Sequence, residues 1–122
     1  MTARELQTRL KKYAYRIVKL TEALPNAIAS KIIKTQIIRA AFSAAANYRS
    51  ACNGYTKKAF AAKLAIAFEE IDESVFWLEV IVDLKLMTPA KIELLIREGE
   101  ELTKILAQSL ITANKTSPLK KK

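Results

Sequence analysis

Between Lys57 and Leu86 the chain runs for thirty residues without a proline or a glycine. Within that stretch Leu64, Ile71 and Leu78 recur every seven positions, and Phe68, Val75 and Val82 repeat the spacing four positions further on. On a helix the two series make one apolar seam, the pattern of a helix packed lengthwise against others. A second strip through Trp77, Ile81 and Leu84 makes the C-terminal half apolar on more than one side. Such a helix needs several neighbours. At about 1.5 Å per residue it reaches roughly 45 Å, which sets the height of whatever is built around it.

Three further segments can supply those neighbours. From about Ala3 to Ala23, Leu6, Leu10, Tyr13, Ile17, Leu20 and Leu24 keep an unbroken heptad step until Pro25 stops the helix. A second helix is expected from Asn26 or Ala27 to about Cys52, with Asn26 as its N-cap. Its seam is Ile33, Ile37, Ala40, Ala44, Tyr48 and Ala51, and its alanine-rich middle allows another backbone to come close, in the same chain or in another subunit. Asn53-Gly54 ends it, with Gly54 expected in the left-handed conformation. Thr56 caps the third helix. Thr88-Pro89 opens a fourth, which runs to about Thr112 along Ile92, Leu95, Ile96, Gly99, Leu102, Leu106 and Leu110. Gly99 inside a helix costs about 1 kcal/mol relative to alanine and therefore marks a tight crossing. Residues 113–122 show no periodicity and read as a flexible basic tail. Helices near 3–23, 27–52, 57–86 and 89–112, joined by short loops, predict a single all-α domain, an up-down-up-down four-helix bundle.

Two glycines and three prolines leave little material for turns, which excludes an all-β or α/β chain. There is no histidine, so the usual general base and the commonest metal ligand are missing. Nor is there a glycine-rich phosphate loop or a nucleophile with a visible activating partner. Glu70 and Glu73, or Glu69 and Glu73, share a helix face, but solvated or salt-bridged carboxylates explain them better than a cation site. No enzyme and no cofactor are expected. Cys52 is the only cysteine, so no disulfide framework exists. The absence of an 18-residue apolar run and of a signal-peptide core predicts a cytoplasmic protein with no membrane role.

Surface charge remains. The net charge is +9, and it is lopsided. Residues 1–60 carry twelve Lys/Arg against Glu5 and Glu22, a balance of +10, whereas residues 61–122 carry nine against ten acids, a balance of −1. Such a field favours anionic partners. Arg9, Lys12, Arg16 and Lys19 each precede a residue of the first seam and form a stripe along its edge. With Lys31, Lys34, Lys57 and Lys58 they are the candidate contacts to an RNA or DNA backbone. The plainer reading is that their methylene stems cover the seam. No base-reading motif accompanies them.

One block goes beyond pattern. Arg39-Ala40-Ala41-Phe42-Ser43, Ala46-Asn47-Tyr48-Arg49, Phe60-x-x-Lys63-Leu64, Glu70-x-x-Glu73 and Phe76-Trp77-Leu78 resemble the family of four-helix bundles encoded in intervening sequences of bacterial 23S ribosomal RNA genes. The resemblance spans about residues 10 to 110. Ala40 stands where that family often has serine, and Ser50 where it often has an acid. It implies a left-handed bundle assembled as a homopentamer. The accessory variability proteins of diversity-generating retroelements look related, which implies nucleic acid and a reverse transcriptase, or another nucleic-acid enzyme, as partners. The matched polar residues Arg39, Asn47, Tyr48, Arg49, Lys63, Glu70, Glu73 and Trp77 are then a candidate polar network. Counting out from the 53–56 loop puts Lys63 near the height of Arg49, and Glu70 and Glu73 near that of Arg39. We expect Arg39 to pair with Glu70 or Glu73, within the bundle or across a subunit boundary. Two functions compete on these grounds, a nucleic-acid-binding bundle and a purely structural or protein-interaction scaffold.

Overall fold

Each helix begins and ends for local reasons. In the computed structural model, which describes residues 1–115, the helices are α1 (Ala3–Thr21), α2 (Ile28–Cys52), α3 (Lys57–Asp83) and α4 (Pro89–Lys115). Thr2 caps α1 in a reciprocal box: its hydroxyl accepts from Glu5 N at 3.1 Å, and Glu5 Oε1 accepts from Thr2 N at 2.7 Å. Thr56 caps α3 by accepting from Ala59 N at 3.0 Å. α2 departs from expectation. Its N-cap is Ala27, in extended conformation and with no side-chain bond, because Asn26 lies one residue too early to reach the open N–H groups.

The helix ends hold two more differences. Gly54 does not adopt positive φ. Its place is fixed by closeness instead: a Cβ there would stand 3.1 Å from Ala51 O and 3.4 Å from Phe60 N. The left-handed residue is Lys85, at φ 57°. α3 stops there, three residues short of Leu86, because Lys85 N bonds to Val82 O and Leu86 N reaches back to Ile81 O, at 3.0 and 3.1 Å. That pair of bonds is the Schellman motif, met here without its usual glycine. α1 likewise ends at Thr21 rather than Ala23, and α4 takes in Ala113–Lys115. The rest of the predicted tail, Lys120–Lys122 included, lies outside the described residues.

The short connections at 22–27, 53–56 and 84–88 make consecutive helices antiparallel, and α4 returns beside α1. The result is a four-helix bundle, with no strand among the described residues. The predicted seams point inward. Leu10, Ile17, Ile37, Leu64, Ile71, Leu78, Ile92, Leu102 and Leu106 are fully buried. α2 and α3 pack most intimately. Ala40, Ala41 and Ala44 of α2 and Ala67 of α3 are all buried. The small face of α2 is therefore spent within the chain.

Gly99 marks a close crossing. A Cβ there would stand 2.7 Å from the Tyr13 hydroxyl and 2.8 Å from Val75 Cγ2, so α4 can close on α1 and α3 only without one. Tyr13 and Ser74 are buried beside it, with their oxygens 2.8 Å apart. Ser74 Oγ gives its single proton to Ile71 O at 2.6 Å, so the phenol is the donor to the serine. Burial pushes the Tyr13 phenol up to about 12.

Two substitutions should move stability in opposite directions. Gly99→Ala should lower it by about 1–3 kcal/mol, because overpacking and the disturbed Tyr13 bond exceed the gain in helix propensity. Lys85→Gly should raise it by about 0.5–1 kcal/mol by relieving the left-handed strain. Urea unfolding midpoints measure both, and a stabilised Gly99→Ala protein would refute the close packing.

Candidate functional site

The narrow α2–α3 contact brings Arg39 over the shoulder of α3. Arg39 Nη1 bonds to Glu70 Oε1 at 2.8 Å and Nη2 to Glu73 Oε2 at 2.7 Å. Gln36 Oε1 accepts from Arg39 Nε at 3.4 Å, and the indole of Trp77 donates to Glu73 Oε2 at 3.0 Å. The pairing is within one chain and engages both carboxylates rather than one. Trp77 and then Arg39 hold the Glu73 carboxyl below its usual range, and the two carboxylates raise Arg39 further. The other matched residues do not join this cluster. Asn47 turns back onto its own helix, to the Ser43 carbonyl and hydroxyl at 2.9 and 3.1 Å. Tyr48 is buried near Cys52, and desolvation is the main reason its phenol is raised. Arg49 and Lys63 are exposed.

The basic stripe divides. Arg9 reaches across to α4, with Nε and Nη2 forked onto Glu98 at 3.1 and 2.8 Å and Nη2 also on Glu101 at 2.7 Å. These bonds, to Glu98 first, raise its guanidinium further. Arg9 is thus fastened to two carboxylates, whereas Lys12, Arg16 and Lys19 have no carboxylate partner among the described residues. Arg16 and Lys19 line a groove of about 420 Å³ between the end of α1 and the start of α4. Its floor is Leu20, Ala23, Met87 and Leu95, and Lys91 adds a third cation. No acid lines it. The antiparallel order puts Lys31 and Lys34 at that same end of the bundle, and Lys57 and Lys58 at the opposite end. The eight predicted cations therefore do not form one continuous face.

Sequence reasoning missed Lys91 and a second groove, between α1 and α2, lined by Lys11, Tyr15, Phe42 and Arg49. The signal for Lys91 was present: an antiparallel α4 with Glu98 beside Arg9 must bring its first turn beside Lys19. Among the described residues no group of three or more His, Cys, Asp or Glu side chains is placed to hold a metal ion. No helix among them is long and apolar enough to cross a membrane.

The family model of the 23S rRNA-intervening sequence protein matches residues 5–108. The chain belongs to that family. Among solved structures, this family member is similar to a protein of unknown function from the S23 ribosomal protein family of Bacteroides thetaiotaomicron. The two share 29% identity at a TM-score of 0.78, over 90% of this chain and 98% of the other. No curated protein matches. The match takes in α2 and α3 entirely, and with them the Arg39–Glu70–Glu73–Trp77 cluster.

Because Trp77 is the only tryptophan, its fluorescence reports on Glu73 directly. The folded carboxyl titrates below the ordinary 4.5, so its contribution to stability is complete above that value and fades as pH falls through the folded pKa. A fluorescence titration should show a Trp77 transition below 4.5 that moves upward in Arg39→Ala. A transition indifferent to Arg39 would contradict the cluster.

Proposed function

We propose that this protein is a non-enzymatic, self-associating helical bundle of the cytoplasm that binds the backbone of nucleic acid through the α1–α4 groove. The observation that carries this reading is the trio Arg16, Lys19 and Lys91, three cations on an apolar floor with no carboxylate among the lining residues. Cations with no carboxylate partner among the described residues, on a chain of net charge +9, favour phosphate, releasing its counterions. Lys12 on α1, and Lys31 and Lys34 at the same end, extend the field. The groove offers no base-reading geometry, so binding follows the backbone rather than the sequence. A role beside a nucleic-acid enzyme, such as a reverse transcriptase, fits a protein that supplies affinity without chemistry.

Self-association is supported by a second surface. Ile28 and Ile32 on α2, and Phe76 and Leu84 on α3, are each more than half exposed, and the antiparallel pairing places them at one end of the α2–α3 face. Clustered exposed side chains of this size mark contact surfaces. A closed ring of copies, a pentamer by the family resemblance, would cover them and repeat the basic groove around its circumference. The scaffold alternative draws on Arg9 and Arg39, whose charges are used inside the bundle.

The test is binding of labelled RNA and DNA duplexes at about 50 and 200 mM salt, with oligomer mass recorded in the same samples. Affinity should fall steeply with salt. The triple variant Arg16→Glu, Lys19→Glu, Lys91→Glu should bind at least about tenfold more weakly and lose roughly two to three units of salt slope, near 0.9 per phosphate contact. Ile32→Glu should reduce the oligomer mass. An intact oligomer that binds neither duplex at low salt would leave the scaffold reading.

A further inference from the structure

The groove between α1 and α2 has a different chemistry from the basic groove on the other side of α1. Its walls are the rings of Tyr15 and Phe42, with centroids 6.0 Å apart and planes inclined at 55°. Both rings stay in water, 54% and 37% exposed, although the bundle buries or half-buries most of its other large apolar side chains. The floor is Ala45 and Ala46, small enough to leave a flat bed beside the rings. The rim carries Lys11, Arg49 and the amide of Gln7, with no acid. Among the described residues neither Lys11 nor Arg49 has a carboxylate partner.

The placement of the cations is directional. Lys11 lies one turn before Tyr15 on α1, and Arg49 two turns after Phe42 on α2. Because the two helices are antiparallel, both cations fall to the same side of the ring pair, toward the N-terminus of α1. The volume, about 240 Å³, is below the roughly 300–1,000 Å³ of sites that enclose a drug-sized ligand. It suits one flat ring system rather than a dinucleotide cofactor. An aromatic platform with cations trailing to one side is the arrangement that holds a base and the phosphates of its own strand. Gln7 adds one donor group and one acceptor for the base edge.

We propose that this groove seats an unpaired nucleobase, stacked on Tyr15 or Phe42, with adjoining phosphates on Lys11 and Arg49, so that the protein binds single-stranded nucleic acid here. A duplex cannot use the seat, because its bases are stacked on one another and only its backbone is presented. The proposal rests on the nucleic-acid reading above and adds a ligand class to it. The seat lies on the flank of α2 that faces α1, whereas Arg39 marks the flank that faces α3, so it stays open when the α2–α3 face is covered.

The experiment uses the full chain and single strands of about 12 nucleotides, RNA in one arm and DNA in the other, each with one 2-aminopurine, beside the matching duplexes. Binding should quench the 2-aminopurine in at least one single strand. Tyr15→Ala with Phe42→Ala should weaken that strand by between about fivefold and a hundredfold and abolish the quench. Duplex affinity should change less than twofold, and Tyr15→Trp with Phe42→Trp should restore stacking. Both ring variants should keep the wild-type helical circular dichroism, since both rings are exposed. Single-strand affinity and quenching unchanged in the double alanine variant would overturn the seat, as would binding of duplex alone; either result leaves the basic groove intact. Failure to bind any strand or duplex at low salt would overturn both readings together.

Discussion

Helix backbones approach closely only where side chains are small, and this bundle has two such places. α2, which packs closely on α3, buries Ala40, Ala41 and Ala44, and on α4 Gly99 meets Tyr13 and Val75. The polar contacts between helices depend on these approaches. The narrow α2–α3 contact brings the Arg39 fork within reach of two carboxylates one turn apart on α3. The close seating of α4 lets Arg9 span to Glu98 and Glu101, and encloses the Tyr13–Ser74–Ile71 relay so that no polar atom in it lacks a partner. Bulkier residues at these points would separate the helices by more than a hydrogen bond can bridge.

The cations fall into two populations by this geometry. Arg9 and Arg39 each hold two carboxylates and lock adjacent helices in register, α1 to α4 and α2 to α3. Both remain partly solvated, so each cluster contributes on the order of 1 kcal/mol and its larger effect is on alignment. Arg16, Lys19 and Lys91 line one groove together and have no carboxylate partner among the described residues. A bundle has no structural use for that concentration of like charge, and a phosphate backbone does.

Much of this was legible in the chain because period and size carry it. The seams through Leu10 and Ile17, Ile37 and Ala44, Leu64 and Ile71, and Leu102 and Leu106 name the buried face of each helix in turn. Gly99 is explained by cost alone, since a helix keeps such a residue where something must come close. The meeting of Arg39 with Glu70 and Glu73 follows from counting outward from the 53–56 loop. What escaped depends on single turns of backbone. Asn26 has the better capping side chain, yet the helix starts at Ile28 with Ala27 as its N-cap. Gly54 and Lys85 exchange the roles their chemistry suggests, since the nearby backbone of Ala51 and Phe60 decides the first and the Ile81–Leu86 backbone bond the second. Lys91 and the Tyr15–Phe42 groove come from pairs of helices and are invisible to a reading of one helix at a time.

Division of labour among the arginines is the central claim, and side-chain NMR measures it directly. The chain has six arginines, Arg4, Arg9, Arg16, Arg39, Arg49 and Arg97, few enough for their Nε–Hε signals to be assigned by substitution. In a titration with a short duplex, the Arg16 signal should move with salt-sensitive affinity while those of Arg9 and Arg39 hold their positions. Movement of Arg9 and Arg39 as large as that of Arg16, or an Arg16 signal that stays still while duplex binds, would contradict the account.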